Sequence, residues 1–271
     1  MIDLSGRWAL VTGGTRGIGR AAGLELARAG ARCVLTHRWG SVDPDALVAD
    51  YAAIGAQTPL IVEADVSRDA DTVALLELVR QHTDHLDIFV SNAGLSARVG
   101  SLDDYQWPAL QRTLSYGAWP LARYLQLMRE RLGGYPRHVI AVSSDGPDHF
   151  YPGYDFVATS KAVLEQLAKA LATHLAPHDV QVNAVRFGLV DTEATRAFFG
   201  DLPSWLQQLG IDGAMVLSPE ACGRAIVALC SGYLDALTGQ VITVDGGSGH
   251  RNNLIVLHQA AQRRPAVPST P

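Results

Sequence analysis

Lysine is nearly absent from this chain. Of its 22 Lys and Arg residues, only Lys161 and Lys169 are lysine. Such usage fits the coding bias of a GC-rich, bacterial genome, and it makes each retained lysine worth locating. Cysteine is scarce as well. Cys33, Cys222 and Cys230 are odd in number and lack metal or redox spacing, so they read as reduced core thiols and not as a disulfide framework or a zinc site. The pairs His82/His85 and His174/His178 are not assigned to metal either. No apolar run approaches the roughly 20 residues that span a bilayer. The opening Met1-Ile2-Asp3-Leu4 lacks the charged and apolar regions of a secretion signal, so a cytoplasmic location is expected. With a formal net charge of −5 and no basic tract, nucleic acid is not the expected partner.

What the chain does have is alternation. It runs to 271 residues, 48% of them apolar, and short apolar runs recur between helical patterns. Residues 8–11, 32–36, 60–63, 88–90, 138–143, 180–185 and 241–244 read as strands. Residues 19–29, 45–54, 69–82, about 104–132, 155–175 and 219–230 read as helices. Asp43-Pro44 caps the second helix, and Gly30 and Gly55 end the first two. Nearly continuous apolar strands separated by helices predict a Rossmann-type α/β fold: a doubly wound parallel sheet of about seven strands, covered on both faces. No repeat or linker interrupts residues 1–250, so one domain is expected. Residues 251–271 form a tail whose Pro-rich end is expected to be disordered.

Between the first strand and the first helix stands Thr12-Gly13-Gly14-Thr15-Arg16-Gly17-Ile18-Gly19. A strand, a glycine-rich turn and a helix N-terminus together make an anion site. Backbone N–H groups and the helix dipole face a pyrophosphate, and glycine lets it approach. The bland alternative is a tight turn that needs glycine for its own sake; the flanking strand and helix favour the nucleotide. Further along come Asp65-Val66, Asn92-Ala93-Gly94, Asn183-Ala184-Val185 followed by Gly188, Val190 and Thr192, and finally Gly239-Gln240 and Asp245-Gly246-Gly247. In this order the segments resemble the short-chain dehydrogenase/reductase superfamily over almost the whole chain. The resemblance implies a dinucleotide-dependent oxidoreductase. It assigns the cofactor to Gly13, Thr15, Arg16, Gly17, Ile18 and Gly19, to Asp65 and Val66 at the adenine, to Asn92, Ala93 and Gly94, and to Gly188, Val190 and Thr192 near the nicotinamide carboxamide.

Charge bears on which dinucleotide is used. About 20 residues past the glycines, NAD enzymes place an acid on the ribose 2′-hydroxyl. Here that position holds His37-Arg38. Arg38 and Arg16 both suit a 2′-phosphate, which arginine matches in geometry, so NADPH is the expected cofactor. A solvated arginine after a strand is the competing reading.

The informative departure lies at the reacting centre. The family pattern combines a Ser, a Tyr thirteen residues later and a Lys four residues after that. The Tyr protonates substrate oxygen, the Lys binds the ribose and lowers the Tyr pKa, and the Ser polarises the carbonyl. Counting from Ser144 and back from Lys161 gives Val157 at the Tyr position. A phenol stands instead at Tyr154, seven residues before Lys161. Seven residues are close to two helical turns, which points both side chains the same way. The Tyr-x6-Lys spacing resembles the enoyl-acyl-carrier-protein reductases of the superfamily. That resemblance implies hydride delivery to the β-carbon of an unsaturated thioester whose carbonyl is bound by Tyr154. The family's Asn in the helix ahead of Gly117 is Leu114 here, which speaks against an ordinary proton relay. Tyr151 is a competing phenol and His149 an alternative proton donor; a packed aromatic at a helix start is the blander reading of Tyr154, and a solvated loop residue that of His149. Ser144 is favoured over Ser143 because successive strand side chains face opposite ways.

Residues 193–217 carry Phe198, Phe199, Leu202, Trp205, Leu206, Leu209 and Met215. The resemblance implies a lid there. Its aromatics, with Phe198, Phe199 and Trp205 as candidate substrate contacts, suit an apolar acyl or polyketide-like group; packing against the body or a neighbouring subunit is the alternative. The family assembles through its long helices, so a homodimer or homotetramer is expected. The leading expectation is thus an NADPH-dependent enoyl-thioester reductase of fatty-acid or polyketide chemistry, its substrate free or carrier-bound. A ketoreductase with an atypical proton donor is the first alternative, and a non-redox cyclase, isomerase or binding protein the second.

Overall fold

In the computed structural model, residues 2–38, 43–95, 97–208, 215–251 and 255 are described. Seven strands form one parallel sheet: β1 (Trp8–Val11), β2 (Arg32–His37), β3 (Leu60–Glu63), β4 (Ile88–Ser91), β5 (His138–Ser144), β6 (Gln181–Phe187) and β7 (Val241–Val244). Their order is β3-β2-β1-β4-β5-β6-β7. The chain winds outward in one direction from β1 to β3, then returns to β1's other side and winds the opposite way. The crevice between β1 and β4, at their C-terminal ends, is where such a sheet receives a ligand.

The five inner strands are largely buried on both faces because their side chains alternate between two cores, whereas the edge strands β3 and β7 are partly exposed. Leu10, Phe89, Val139 and Ala141 face one side, where α3 (Asp69–Arg80), α4 (Trp107–Gly117), α5 (Trp119–Leu132) and α6 (Asp155–Leu175) supply Leu76, Tyr116, Tyr124, Met128 and Leu164. Ala9, Val11, Val90, Ile140 and Val142 face the other, where α1 (Gly17–Arg28), α2 (Pro44–Ala53) and α9 (Pro219–Leu229) supply Leu26, Leu47, Tyr51 and Ile226. Cys33, Cys222 and Cys230 are unpaired and buried, and burial raises the pKa of each thiol, to about 12 for Cys33 and Cys222. Among the described residues no His, Cys, Asp or Glu group is arranged to hold a metal, and no helix is long and apolar enough to cross a membrane.

The expected continuous helix over 104–132 is not continuous. A short 3-10 turn at Leu102–Asp104 precedes α4, and the chain breaks at Ala118 (φ −129, ψ −55) before α5. Pro120 is the cause: it has no N–H to give, and its ring conflicts with the carbonyl four residues back, so it is accommodated only in a first turn. The segment expected to be a lid holds two short helices, α7 (Glu193–Phe199) and α8 (Leu202–Gln208). Its residues 209–214, including Leu209, and the tail apart from residues 251 and 255 lie outside the described residues.

Candidate active site

The crevice is a cleft of about 290 Å³, walled on one side by Gly13, Thr15, Arg16, Gly17 and Ile18. Arg16 is the N-cap of α1 and provides no side-chain cap, and the first turn holds no acid. The orphan N–H groups and positive end of the helix therefore face the cleft unopposed. Asn92 draws the turn tight: its Nδ2 donates to the carbonyls of Thr12 (3.0 Å) and Gly13 (3.1 Å). Thr12 Oγ1 in turn accepts from the N–H groups of Asn92 (3.0 Å) and Ala93 (3.2 Å). Gly19 lies beneath this turn, where an added Cβ would stand 2.1 Å from the Gly13 oxygen and 2.5 Å from Asn92 Nδ2. Gly19 thus supports the cleft from below, while Asn92, Ala93 and Gly94 line it.

At the far end stand Thr36, His37, Arg38, Ala64, Val66 and Tyr116. Asp65 sits behind this wall, 6% exposed. It pairs with Arg38 at 2.9 Å and accepts from Tyr116 Oη (3.0 Å) and Ser67 Oγ (2.7 Å). The Arg38 guanidinium also lies 5.1 Å from the Tyr116 ring centroid, a cation–π contact that fixes its plane. His37 Nδ1 is buried without a hydrogen-bond partner among the described residues, an orphaned polar atom on the cleft wall of the kind a ligand satisfies. The open helix end, the positioned arginine and this nitrogen fit a dinucleotide. Tyr116 was not singled out from sequence, since an aromatic on a helix reads first as core.

At the opposite end of the cleft Tyr154, Val157, Lys161, Thr192, Glu193 and Ala194 converge. Tyr154 is the N-cap of α6, set there by a tight turn in which its N–H donates to the Tyr151 carbonyl (3.0 Å). Pro152-Gly153 makes that turn, with Gly153 at φ +80, which the third residue of a type II turn requires. Tyr154 Oη donates to Ser144 Oγ at 3.3 Å, and the Gly146 N–H donates to the same oxygen at 3.3 Å. Burial raises the Tyr154 pKa; the Ser144 bond opposes this and Asp145 adds to it. The phenol is accordingly neutral and able to donate at ordinary pH. Val157, 7% exposed, presents an apolar wall one turn before Lys161.

Lys161 is half-buried, its Nζ donating to the Val142 carbonyl at 2.7 Å. Burial lowers its pKa to about 8, with Glu165, one turn further along α6, opposing. Glu165 in turn is clamped by Arg186 of β6, whose Nε and Nη2 donate to its two oxygens at 3.0 and 2.6 Å. Ser143 Oγ adds a bond to Glu165 at 2.7 Å, and Arg186 Nη1 also meets Asp148. Ser143 and Ser144 thus do face opposite ways, one to the ion pair and one to Tyr154. The sequence reading left Glu165 and Arg186 out; the i,i+4 spacing of Lys161 and Glu165 is a local signal, but their strand partner is not.

The remaining site candidates surround this centre. Gly188 and Val190 lie behind the wall: the Gly188 N–H donates to the Val244 carbonyl at 3.2 Å, and Val190 is buried. Thr192 Oγ1 caps α7 by accepting from the Thr195 N–H at 3.1 Å. Tyr151 Oη donates to Asp145 Oδ2 at 2.7 Å, and burial and that carboxylate together push its pKa up. His149, in the exposed loop, meets the Asp145 carbonyl through Nδ1 at 3.1 Å. Phe198 and Phe199 of α7 lie over Tyr154, with ring centroids at 5.4 and 6.0 Å. Trp205 of α8 is 52% exposed and joins no ring contact with this group among the described residues.

Residues 13–249 match the family model described as Enoyl-(Acyl carrier protein) reductase. The chain belongs to the short-chain dehydrogenase/reductase superfamily. Within it, the protein is 31% identical to the 1-cyclohexenylcarbonyl-CoA reductase of Streptomyces collinus, over 88% of this chain and 85% of that one. It is 30% identical to the 3-oxoacyl-acyl-carrier-protein reductase FabG of Aquifex aeolicus, over 91% and 98%. Among solved structures, a dehydrogenase/reductase from Sinorhizobium meliloti superposes with a TM-score of 0.80 at 26% identity, covering 91% of this chain and 96% of that one. This superfamily member is a reductase of the oxidoreductase class, and its seven-stranded Rossmann-like sheet is the superfamily's fold.

Proposed function

We propose that this protein is an NADPH-dependent reductase of the C=C bond in apolar enoyl thioesters, in the cytoplasm. The observation that carries this is the pairing of Tyr154 Oη with Ser144 Oγ at 3.3 Å, beside a valine wall at position 157. Two hydroxyls converge where a thioester oxygen would sit. Tyr154 stays neutral, so it donates a hydrogen bond to a developing enolate oxygen without giving up its proton. Lys161 would hold the nicotinamide ribose, and the α1 N-terminus and Arg16 the pyrophosphate. Arg38 and His37 would face the 2′-phosphate, with Asp65 fixing the arginine. A bound nicotinamide would supply a hydride to the β-carbon of the acyl group, and the enolate so formed would take its α-carbon proton from solvent. Val157 offers no acid to a ketone at the place one turn before Lys161 and keeps water from that face. The similarity to a reductase of 1-cyclohexenylcarbonyl-CoA supports the choice of an unsaturated thioester. The exposed Tyr105, Trp107, Trp119 and Val163, on and around α4–α6, support a homo-oligomer.

The test is NADPH oxidation with an enoyl-CoA, a β-ketoacyl thioester and a polycyclic ketone side by side. Turnover of the enoyl substrate alone is expected. Tyr154→Phe should lower it at least about tenfold, as loss of one oxyanion donor does. Turnover confined to ketones, or an unaffected Tyr154→Phe variant, would sink the assignment. NADPH binding with no consumption would favour a non-redox role.

A further inference from the structure

Three aromatic rings pack around the proposed carbonyl-binding phenol. Phe198 meets Tyr154 edge-on (5.4 Å, 85°), and so does Tyr151 (6.1 Å, 89°). Phe199 touches Tyr154 (6.0 Å), Tyr151 (5.6 Å) and Phe198 (5.0 Å). The rings come from two separate segments, the 151–154 turn and the end of α7. They are braced from a third. Arg98, in the loop after β4, donates through Nη2 to the Ala197 carbonyl at 2.7 Å and to the Phe198 carbonyl, and its guanidinium lies 4.6 Å from the Phe198 ring centroid. Val99 closes the brace, its N–H donating to the Gly153 carbonyl at 3.3 Å. Arg98 therefore satisfies carbonyls at the C-terminal end of α7, whose last turn leaves them orphaned, and it fixes where Phe198 and Phe199 stand.

We infer that this cluster is a subsite for a flat, ring-bearing acyl group, with Phe198 occupying the place on Tyr154 that such a group takes, and Arg98 acting as the positioning residue of the box. The inference rests on the reading of Tyr154 as the thioester-binding residue. An acyl group whose carbonyl reaches Tyr154 Oη must lie along the Tyr154 ring, where Phe198 now lies. Displacing Phe198 forfeits its edge-to-face pair with Tyr154 and its tilted pair with Phe199, and only another ring restores both at once. A straight chain fills the volume without restoring them.

The test uses binding of unreactive thioesters, so it does not depend on which bond the enzyme reduces. With NADP⁺ present, benzoyl-CoA and heptanoyl-CoA, equal in acyl carbon count, are titrated calorimetrically. Benzoyl-CoA should bind about tenfold tighter, the sum of two aromatic pairs. Phe199→Leu and Tyr151→Leu should shrink that preference to within about threefold while leaving heptanoyl-CoA nearly unchanged. Arg98→Ala should do the same, and Arg98→Lys, which lacks the planar face, should restore it only in part. Tyr154→Phe keeps the ring and should keep the preference even as turnover falls, which separates failure of the box from failure of the carbonyl-binding role. Equal affinities in the native protein, no binding of either thioester, or loss of both ligands alike in the leucine variants would overturn the inference.

Discussion

Arg186→Met isolates the ion pair that lies beneath Lys161. In the native protein Glu165 is 7% exposed and Arg186 15% at their side chains, and the guanidinium donates to both carboxylate oxygens. Removing the arginine leaves a buried carboxylate with the Ser143 hydroxyl as its remaining side-chain partner. Breaking one half of such a pair costs about 3–5 kcal/mol, because the survivor's charge stays desolvated. For a chain of this size that lowers Tm by about 6–20 °C. Adding Glu165→Gln to Arg186→Met removes the stranded charge, and the double variant should recover more than half of the loss. The active site should register the change too. Glu165 without Arg186 is an uncompensated negative charge one helical turn from Lys161, and it favours the protonated amine. Glu165, on the same helix and held by Arg186 of β6, acts on that amine, and Tyr154 shares the cleft with it. The alkaline limb of kcat/KM for NADPH should therefore move to higher pH in Arg186→Met and to lower pH in Glu165→Gln. Thermal unfolding and pH–rate profiles of the three variants decide the matter. A single Arg186→Met variant within about 1 kcal/mol of native stability, or a limb that does not move, would refute this account of the pair.

Two further outcomes follow from the same geometry. In the native enzyme the charged form of Lys161 is lost as pH rises through about 8, so kcat/KM for NADPH should fall above that pH and stay level just below it; a limb near the ordinary lysine range would show that Lys161 is not desolvated as described. Arg38→Ala should raise the KM for NADPH at least about tenfold and leave that for NADH within about threefold, since it removes the cation and exposes Asp65 to the 2′-phosphate; an unchanged ratio of the two KM values would remove Arg38 from cofactor choice.

Much of the fold was legible because it rests on local chemistry. The parallel strands are short, apolar and β-branched, and each observed strand lies within two residues of its expected span. The cap at Asp43 and the stop at Gly55 are single-residue effects that the sequence carries openly. The 104–132 span misled because amphipathic periodicity continues across Ala118, while the break comes from the backbone geometry of Pro120. The glycine turn was legible as a motif, but its closure was not. Gly19 must be glycine because a Cβ would meet the Gly13 carbonyl first and then the Asn92 side chain, which the end of β4 brings against the turn.

The reacting centre divides in the same way. The sequence alone established that a valine, and not a phenol, stands one turn before Lys161, and that Tyr154 stands two turns before it; helical periodicity then sets both on one face. Whether Tyr154 met Ser144, Asp145 or the rings of α7 could not be read there, because it depends on the Pro152-Gly153 turn and on a helix about forty residues further along the chain. The Glu165–Arg186 pair, the Asp65–Arg38–Tyr116 group and the ring cluster braced by Arg98 were decided by tertiary structure alone. Each joins residues from separate strands, helices and loops, and only the winding of the sheet brings such segments to one edge, where burial and desolvation give their charges and rings the strengths they have.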